Sequence, residues 1–370
     1  MPWLVRLLKR WRWAVFVVGL AVLVSLPALI AALPAGAQTI SASTLLQRVK
    51  GADNVDYSGD AVSTGGIVLP VTTSFSDLTD LFGSTTHLRV WWRGTSDWRV
   101  DTITPVGETD VHGDAAGTWT WDYQKNSAVR SETAQVRLPR VADVDPAQLG
   151  RRLLSEANAD EVHLLPARRI AGRDAAGLRL TPADSNSTID RVDIYVDVPT
   201  GLPVSVAVYG AGASRPAMQT AYLALTTKTP SAATVAFTPP RGAKTRFERV
   251  TDLADGANRY VPLRPAAELA GYPLRTRVEG LGAVGTYGRG VTVLSAVPLP
   301  SRYSGSLRSQ IAVVPGVTQV SQGDLLQVGP LSLLLTADHN GGAWLLGGTV
   351  TAATLQRAAG GLPAQGGPRR

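Results

Sequence analysis

The sequence predicts an α+β protein in which an antiparallel β-meander is followed by a smaller α+β domain. In the stretch Leu88–Arg130, short strand-like runs alternate with turns rich in Gly, Asn and Asp. The composition agrees, because 37 Gly and 24 Pro among 370 residues fit many short strands and turns better than a helical bundle. A cluster of Pro, Gly and basic residues at 239–244 indicates a domain boundary near residue 250.

The meander contains more tryptophan than packing between its own strands requires. Five of the nine tryptophans lie in it: Trp91, Trp92, Trp98, Trp119 and Trp121. Since side chains two apart share a face of a strand, Trp119 and Trp121 should lie with Tyr123, and Trp98 with Val100. Something must cover the aromatic face. The indoles are then either core residues between sheet and helix or the wall of an apolar cavity.

The N-terminal sequence is typical of an export signal. No charged residue occurs from Trp13 to Ala37, and four basic residues precede this stretch: Arg6, Lys9, Arg10 and Arg12. Ala35-Gly36-Ala37 fits a cleavage site, which would leave Gln38 first. The alternative is an uncleaved anchor, because the uncharged stretch could span roughly 30 Å of hydrocarbon. Either way, residues 38–370 are expected outside the cytoplasm, secreted or anchored to the outer face of the membrane by residues 13–37.

Composition excludes several classes of site. The chain has no cysteine, so disulfides, thiolate metal sites and a cysteine nucleophile are ruled out. Subtracting the four leader cations from the net charge of +7 leaves +3, and no concentrated run of Lys and Arg follows. We therefore expect no nucleic-acid partner.

Four segments are predicted to be helices, and the first of them is amphipathic. They are Ser43–Val49 with Ser43 as N-cap, Asp145–Ala157 with Asp145 as N-cap and Pro146 at the first position, Pro265–Ala270, and Thr351–Ala359 with Thr351 as N-cap. The resulting division is a leader over residues 1–37, a large domain over 38–250, a small α+β domain over 251–358 and a disordered tail over 359–370.

No motif in the sequence strongly indicates cofactor binding, metal binding or catalysis. Gly280-Leu-Gly282-Ala-Val-Gly285 matches a dinucleotide-binding pattern, but a strand-like run follows it where that pattern needs a helix. The four histidines lack metal-ligand spacing, and no nucleophile–base motif is visible. We expect no cofactor, no metal and no enzymatic activity, although folding could still bring carboxylate pairs together in a secreted enzyme.

Four short motifs carry a resemblance to a known family. They are Tyr57-Ser-Gly, Leu88-Arg-Val-Trp-Trp, Gly117-Thr-Trp-Thr-Trp-Asp-Tyr and Asp197-Val-Pro-Thr-Gly-Leu-Pro. In this order, after a short helix, they resemble the LolA/LolB and MucB/RseB-like superfamily of lipoprotein carriers and envelope-stress regulators. The resemblance covers roughly residues 40–240 and implies an unclosed antiparallel β-barrel with helices across its mouth. RseB-like members add a small C-terminal domain, as expected here.

The resemblance implies a binding function and candidate residues for it. The protein would hold a lipid, a lipoprotein acyl chain or another apolar ligand in the half-barrel. Candidates for the cavity wall are Trp91, Trp98, Trp119, Trp121 and Tyr123, and candidates for the lid are Leu149, Leu153 and Leu154. The alternative is an extracytoplasmic regulatory module that binds a membrane partner such as an anti-sigma factor and uses the cavity as a sensor.

Overall fold

The computed structural model describes residue 36 and residues 39–66, 83–104, 107–132, 140–248, 265–275, 283–338 and 342–362. The leader, the expected boundary near residue 250 and the end of the tail lie outside these residues, so the predicted domain limits stay predictions. Within the described part of the chain, no helix is long and apolar enough to cross a membrane.

The first sheet has twelve strands and is not closed. Its order is β12-β6-β5-β4-β3-β2-β1-β11-β10-β9-β8-β7, so β12 and β7 form its edges, and neighbours are antiparallel except β12 and β6. The strands are β1 Tyr57–Gly65, β2 Thr85–Trp92, β3 Asp97–Thr104, β4 Gly107–Asp114, β5 Gly117–Asp122, β6 Ser127–Ser131, β7 Val162–Ile170, β8 Arg173–Leu180, β9 Ile189–Asp197, β10 Leu202–Gly210, β11 Met218–Thr226 and β12 Lys244–Glu248. The predicted fold class, an unclosed antiparallel sheet followed by a smaller sheet unit, is confirmed.

Helix α1, Ala42–Lys50, buries Leu45, Leu46 and Val49 against the core of this sheet. It begins earlier than predicted, and Ser43 is not its N-cap. The cap is Ser41, whose Oγ accepts from the Thr44 N–H at 3.1 Å. Ser41 and Ser43 are equally suited to capping by residue type, so the sequence alone did not distinguish between them.

Helix α2, Pro146–Leu154, has the predicted N-cap at Asp145 and Pro146 at its first position. It lies close against β10, because a Cβ added at Gly150 would be 2.6 Å from Cβ of Pro203. The Asp145 carboxylate, 1% exposed, accepts from the Tyr57 hydroxyl at 2.6 Å and the Tyr222 hydroxyl at 2.5 Å. It also caps the helix by accepting from the Gln148 N–H at 3.2 Å. These bonds join α2 to β1 and β11.

The second unit is a six-stranded antiparallel sheet in the order β15-β16-β20-β19-β18-β17. Helices α4 and α5 pack against it, and Thr351 caps α5 as predicted. A four-residue helix, α3, precedes β12 in the first unit. The elements are α3 Ala232–Val235, β13 Glu268–Leu269, β14 Tyr272–Pro273, β15 Gly285–Arg289, β16 Thr292–Pro300, α4 Ser301–Ile311, β17 Thr318–Val320, β18 Gly323–Val328, β19 Leu331–Thr336, β20 Gly342–Gly348 and α5 Ala352–Gly361.

One prediction for this unit was wrong, and one of its helices was not predicted. The helix expected over Pro265–Ala270 is a small hairpin of β13 and β14, which turns through Ala270 at φ 54° and Gly271 at φ 88°. Helix α4 was not predicted, because Ser301–Ile311 is serine-rich and has only a weak apolar periodicity. Gly285 begins β15. The glycine motif therefore leads into a strand, as predicted, and not into the helix that dinucleotide binding needs.

We predict that Tyr222→Phe lowers the free energy of unfolding by about 1.5–3 kcal/mol, because it leaves a buried carboxylate with one hydrogen-bond donor fewer. Tyr209→Phe is the matched control, since no hydrogen bond to its hydroxyl occurs among the described residues, and it should cost less than about 0.5 kcal/mol. Urea denaturation of both variants measures the difference, and equal losses would contradict the role given to Asp145.

Candidate functional site

The candidate aromatic residues divide between the two faces of the first sheet. Cross-strand register places Trp92 opposite Trp98 and Trp98 opposite Gly113 in one row. The neighbouring row on the other face joins Trp91, Arg99, His112, Trp119 and Arg130. Residues directly opposite each other share a face, so Trp98 lies on the face that packs against α2, and Trp91 and Trp119 lie on the outer face.

On the inner face the aromatic rings form a stack that ends at the helix cap. Trp98 lies 6.2 Å from Trp92, and Trp92 lies 6.2 Å from Tyr57, with near-parallel planes in both pairs. The Trp98 indole covers Gly113 so closely that an added Cβ would be 2.1 Å from it. Tyr57 then continues into the hydrogen bond with Asp145. These contacts make Trp98 part of the packing around α2.

On the outer face the indoles alternate with arginines. The Arg99 guanidinium lies 5.1 Å from the Trp91 ring and that of Arg130 lies 5.4 Å from the Trp119 ring, both in cation–π range. Trp121 lies on the same face as Trp119 and is buried. Tyr123, which follows them, is 70% exposed.

The segment after α3 covers part of this outer face. The Phe237 ring lies 4.8 Å from His112, 5.7 Å from Trp119 and 6.0 Å from Trp121. The His112 Nδ1 is 2.7 Å from the Val235 carbonyl oxygen. Trp119 and Trp121 therefore both lie against Phe237. Trp98 belongs to the inner-face stack, and Tyr123 is exposed. Contact of any of these side chains with a ligand stays a prediction.

Beside the outer indoles, β3 and β4 place acidic residues directly opposite each other. Asp101 is opposite Asp110, and Arg99 donates to both, at 2.6 and 2.7 Å to Asp101 and at 3.1 Å to Asp110. Burial, together with the nearby Asp101 carboxylate, raises the pKa of Asp110 to about 7. Below that pH, Asp110 keeps its proton, so the pair carries one negative charge, which Arg99 balances.

The three candidate lid residues have different environments along α2. Leu154 is fully buried in the core shared with α1, and Leu149 is half-buried between the two core clusters of the first sheet. Leu153 is half-buried and lines a cavity. Of the three candidate lid residues, Leu153 lines this cavity.

That cavity has a volume of about 150 Å³ and lies between the two units. The helix α2, strand β8 and the loops after them form one side, and β14, β15 and β16 form the other. Its lining combines apolar residues with polar and charged ones: Leu153, Ala157, Leu180, Pro182, Pro273 and Val291 are apolar, and Glu161, Asp184, Tyr272, Arg289 and Thr292 are polar. A space of this volume is about large enough for a molecule of the size of benzene.

Polar contacts between the units surround the cavity. Arg289 donates to both oxygens of Glu161, at 2.6 and 2.9 Å, and Arg275 pairs with Glu156. Tyr272 donates to Asp184 at 2.6 Å. Burial opposes ionisation of Glu161, but the Arg289 hydrogen bonds and two backbone N–H groups outweigh it and lower its pKa. No sequence signal linked these residues, because they come from segments more than 80 positions apart.

The Asp197-Val-Pro-Thr-Gly-Leu-Pro motif has a structural role. It forms the turn between β9 and β10, where the Gly201 N–H donates to the Asp197 carbonyl at 2.8 Å. The Asp197 carboxylate accepts from Arg173 at 3.0 Å and from the Thr200 hydroxyl at 2.5 Å. Arg48 of α1 donates to the Val198 carbonyl at 2.8 Å. The motif thus fixes α1 to the end of the sheet.

Comparison with known proteins gives structural matches alone. No family model and no curated protein matches the sequence. A MucB structure in complex with MucA(peri) is 19% identical, with a TM-score of 0.48, over 86% of this chain and 97% of that one. The Pseudomonas aeruginosa MucA/MucB complex is 20% identical, with a TM-score of 0.49, over 89% and 99%.

A LolA superfamily protein from Nitrosomonas europaea is 13% identical, with a TM-score of 0.25, over 54% of this chain and 99% of that one. Structures of MucB and of a LolA superfamily protein are thus both among the matches.

We predict that the contribution of Asp110 to the free energy of unfolding falls as the pH rises from about 4 to 7. The folded state keeps a proton on Asp110 in this range, because its pKa is raised to about 7, whereas the unfolded chain releases it near pH 3.8. Asp110→Asn should flatten this slope. Thermal denaturation across the range tests it, and an unchanged slope in the variant would show that other groups cause it.

We predict that Arg289→Gln lowers the free energy of unfolding by about 1–3 kcal/mol at pH 7, since Glu161, 6% exposed, loses a charged partner. The loss should shrink at pH 3. A lowered folded pKa contributes stability above the ordinary value of 4.5, and that contribution disappears as the pH falls through the folded pKa.

The control for this variant is Arg89→Gln, because its pair with Asp60 is exposed on both sides and lies within one sheet. It should change stability by less than about 0.5 kcal/mol at either pH. Denaturation curves at the two pH values measure both variants. A loss for Arg289→Gln that is as large at pH 3 as at pH 7 would contradict the ion-pair explanation.

Proposed function

We propose that this protein is an exported binding protein for an apolar ligand, such as a lipid, a lipoprotein acyl chain or a similar molecule. The observation that carries the proposal is the apolar cavity of about 150 Å³ next to α2. Its volume suits the end of one acyl chain or a small ring, and not a whole lipid. The remainder of a larger ligand would lie outside the cavity.

The position of the cavity supports a binding role for α2. Leu153 faces it from the helix, and Ala157 and Leu180 extend the apolar surface behind it. Burying one methylene group of a ligand there contributes about 0.8 kcal/mol, so a short apolar chain end gives measurable affinity. The Arg289–Glu161 pair in the lining would provide polar contacts for a polar group of the ligand.

Native mass spectrometry of the protein purified without detergent tests the proposal. We expect a bound mass that organic solvent releases. Ala157→Leu should remove it, because the added methyl groups occupy the cavity, whereas Ala116→Leu, in the exposed β4–β5 turn, should retain it. A protein that is free of ligand, and whose thermal midpoint does not change with added fatty acid or lipopeptide, would overturn the proposal.

The second candidate is an extracytoplasmic regulatory module that binds a membrane partner, with an anti-sigma factor as one possibility. The observation that favours it is the position of the cavity at the junction of the two units. A ligand that enters there with different affinity for two arrangements of the units would bias the arrangement and with it any partner surface. MucB structures include complexes with MucA, so a protein of that kind is the first partner to test.

The ligand and partner hypotheses give different results in one experiment. The full chain is used to capture proteins from solubilised membranes at physiological salt, with and without fatty acid. A partner whose capture changes with fatty acid supports the regulatory module. Capture of no partner, combined with a bound ligand in mass spectrometry, supports a carrier.

A further inference from the structure

The chain that follows the leader meets the first unit at β7, the last strand of its sheet. Gly36, in the expected cleavage site, lies against β8, because an added Cβ there would be 3.4 Å from the Asp174 carboxylate. Ile40 packs against the core cluster to which β7 and β8 contribute, and α1, which follows it, contacts both strands. The uncharged stretch over residues 13–37 is therefore joined to the fold beside this edge of the sheet.

The edge strand and its turn are basic and apolar. Residues 162–173 contain three arginines, one histidine and no acidic residue. Two of the arginines are neutralised by the neighbouring strands, because Arg169 pairs with Asp174 and Arg173 pairs with Asp197, each at 3.0 Å. The third arginine decides the net charge of the edge.

Exposed side chains flank this edge on both sides. Leu164 is 48% exposed, and Pro166 and Arg168 are also exposed. The register shift between Leu165 and Arg168 places Leu164 on the face of α1 and Arg168 on the opposite face. The Arg168 guanidinium lies 4.8 Å from the Tyr195 ring and has no carboxylate partner among the described residues. A surface that meets the strand edge-on would contact a free cation and apolar side chains together.

We propose that the β7 edge docks on an anionic phospholipid surface, the outer face of the membrane that the leader enters. Such an interface attracts cations by its charge and takes up apolar side chains, and the edge presents both. One arginine near the surface contributes about a fivefold gain in binding, so the edge alone binds weakly. With the leader attached as an anchor, the contact is intramolecular and needs little affinity. The proposal depends on the expected export and not on a ligand in the cavity.

Arginine and proline at the edge of a sheet also have a structural role, because they prevent pairing with the edge of another chain. The two roles are separable. Arg168→Glu keeps a charge on the edge, so protection against pairing should persist, but an anionic surface should repel the variant.

Dye fluorescence of the full chain in vesicles tests the proposal. The chain has no cysteine, so Pro166→Cys and Ser214→Cys each provide one position for an environment-sensitive dye. Ser214 is exposed in the turn between β10 and β11, three strands from β7. In vesicles of phosphatidylcholine with phosphatidylglycerol, the dye at position 166 should emit at shorter wavelength and be protected from acrylamide quenching. Phosphatidylcholine alone should not have this effect, and the dye at position 214 should be accessible in both.

Arg168→Glu, in the chain labelled at position 166, should lower the ratio of docked to free edge about tenfold or more, since it replaces an attraction with a repulsion. The matched control is Arg215→Glu, because Arg215 is exposed beside the β10–β11 turn and has no ion pair among the described residues. It should retain the shift. A dye at position 166 that is equally accessible in both kinds of vesicle, or a folded Arg168→Glu variant that docks as well as the wild type, would overturn the proposal.

Discussion

The buried Asp145 carboxylate is the interaction on which the arrangement of the first unit depends. It is the N-cap of α2, and it also accepts hydrogen bonds from Tyr57 on β1 and Tyr222 on β11. Burial raises the pKa of this carboxyl, and the three bonds compensate in part. A buried acid with three partners has one position that satisfies all of them. The helix is therefore fixed over the sheet in one place.

The position of α2 determines what packs on the inner face of the first sheet and where the cavity lies. On the inner face, the helix and the Tyr57–Trp92–Trp98 stack pack into the core of the first sheet. The far end of the helix, at Leu153, reaches the junction with the second unit, and the cavity lies there. The junction combines apolar lining with the Arg289–Glu161 pair. A single site could therefore bind a ligand and alter how the two units are held together.

The outer face has a separate chemical character. Its indoles are covered by Phe237 or pair with Arg99 and Arg130, which gives them structural neighbours. The same face brings Asp101 and Asp110 opposite each other, and both accept hydrogen bonds from Arg99. Because the pKa of Asp110 is raised to about 7, the pair carries one negative charge below that pH, which limits the repulsion between the two carboxyl groups.

The sequence by itself determined the features that depend on local chemistry. Alternation predicted the antiparallel meander, and Asp145 with Pro146 and Thr351 predicted two helix starts, because caps and periodicity act within a few residues. Only the tertiary structure decided which tryptophans contact Phe237, that Ser41 caps α1, and that residues 268–273 form a hairpin. It also placed Leu153 beside Arg289 and Asp101 beside Asp110. Cross-strand register and the docking of two units set these contacts, and neither is encoded in spacing along the chain.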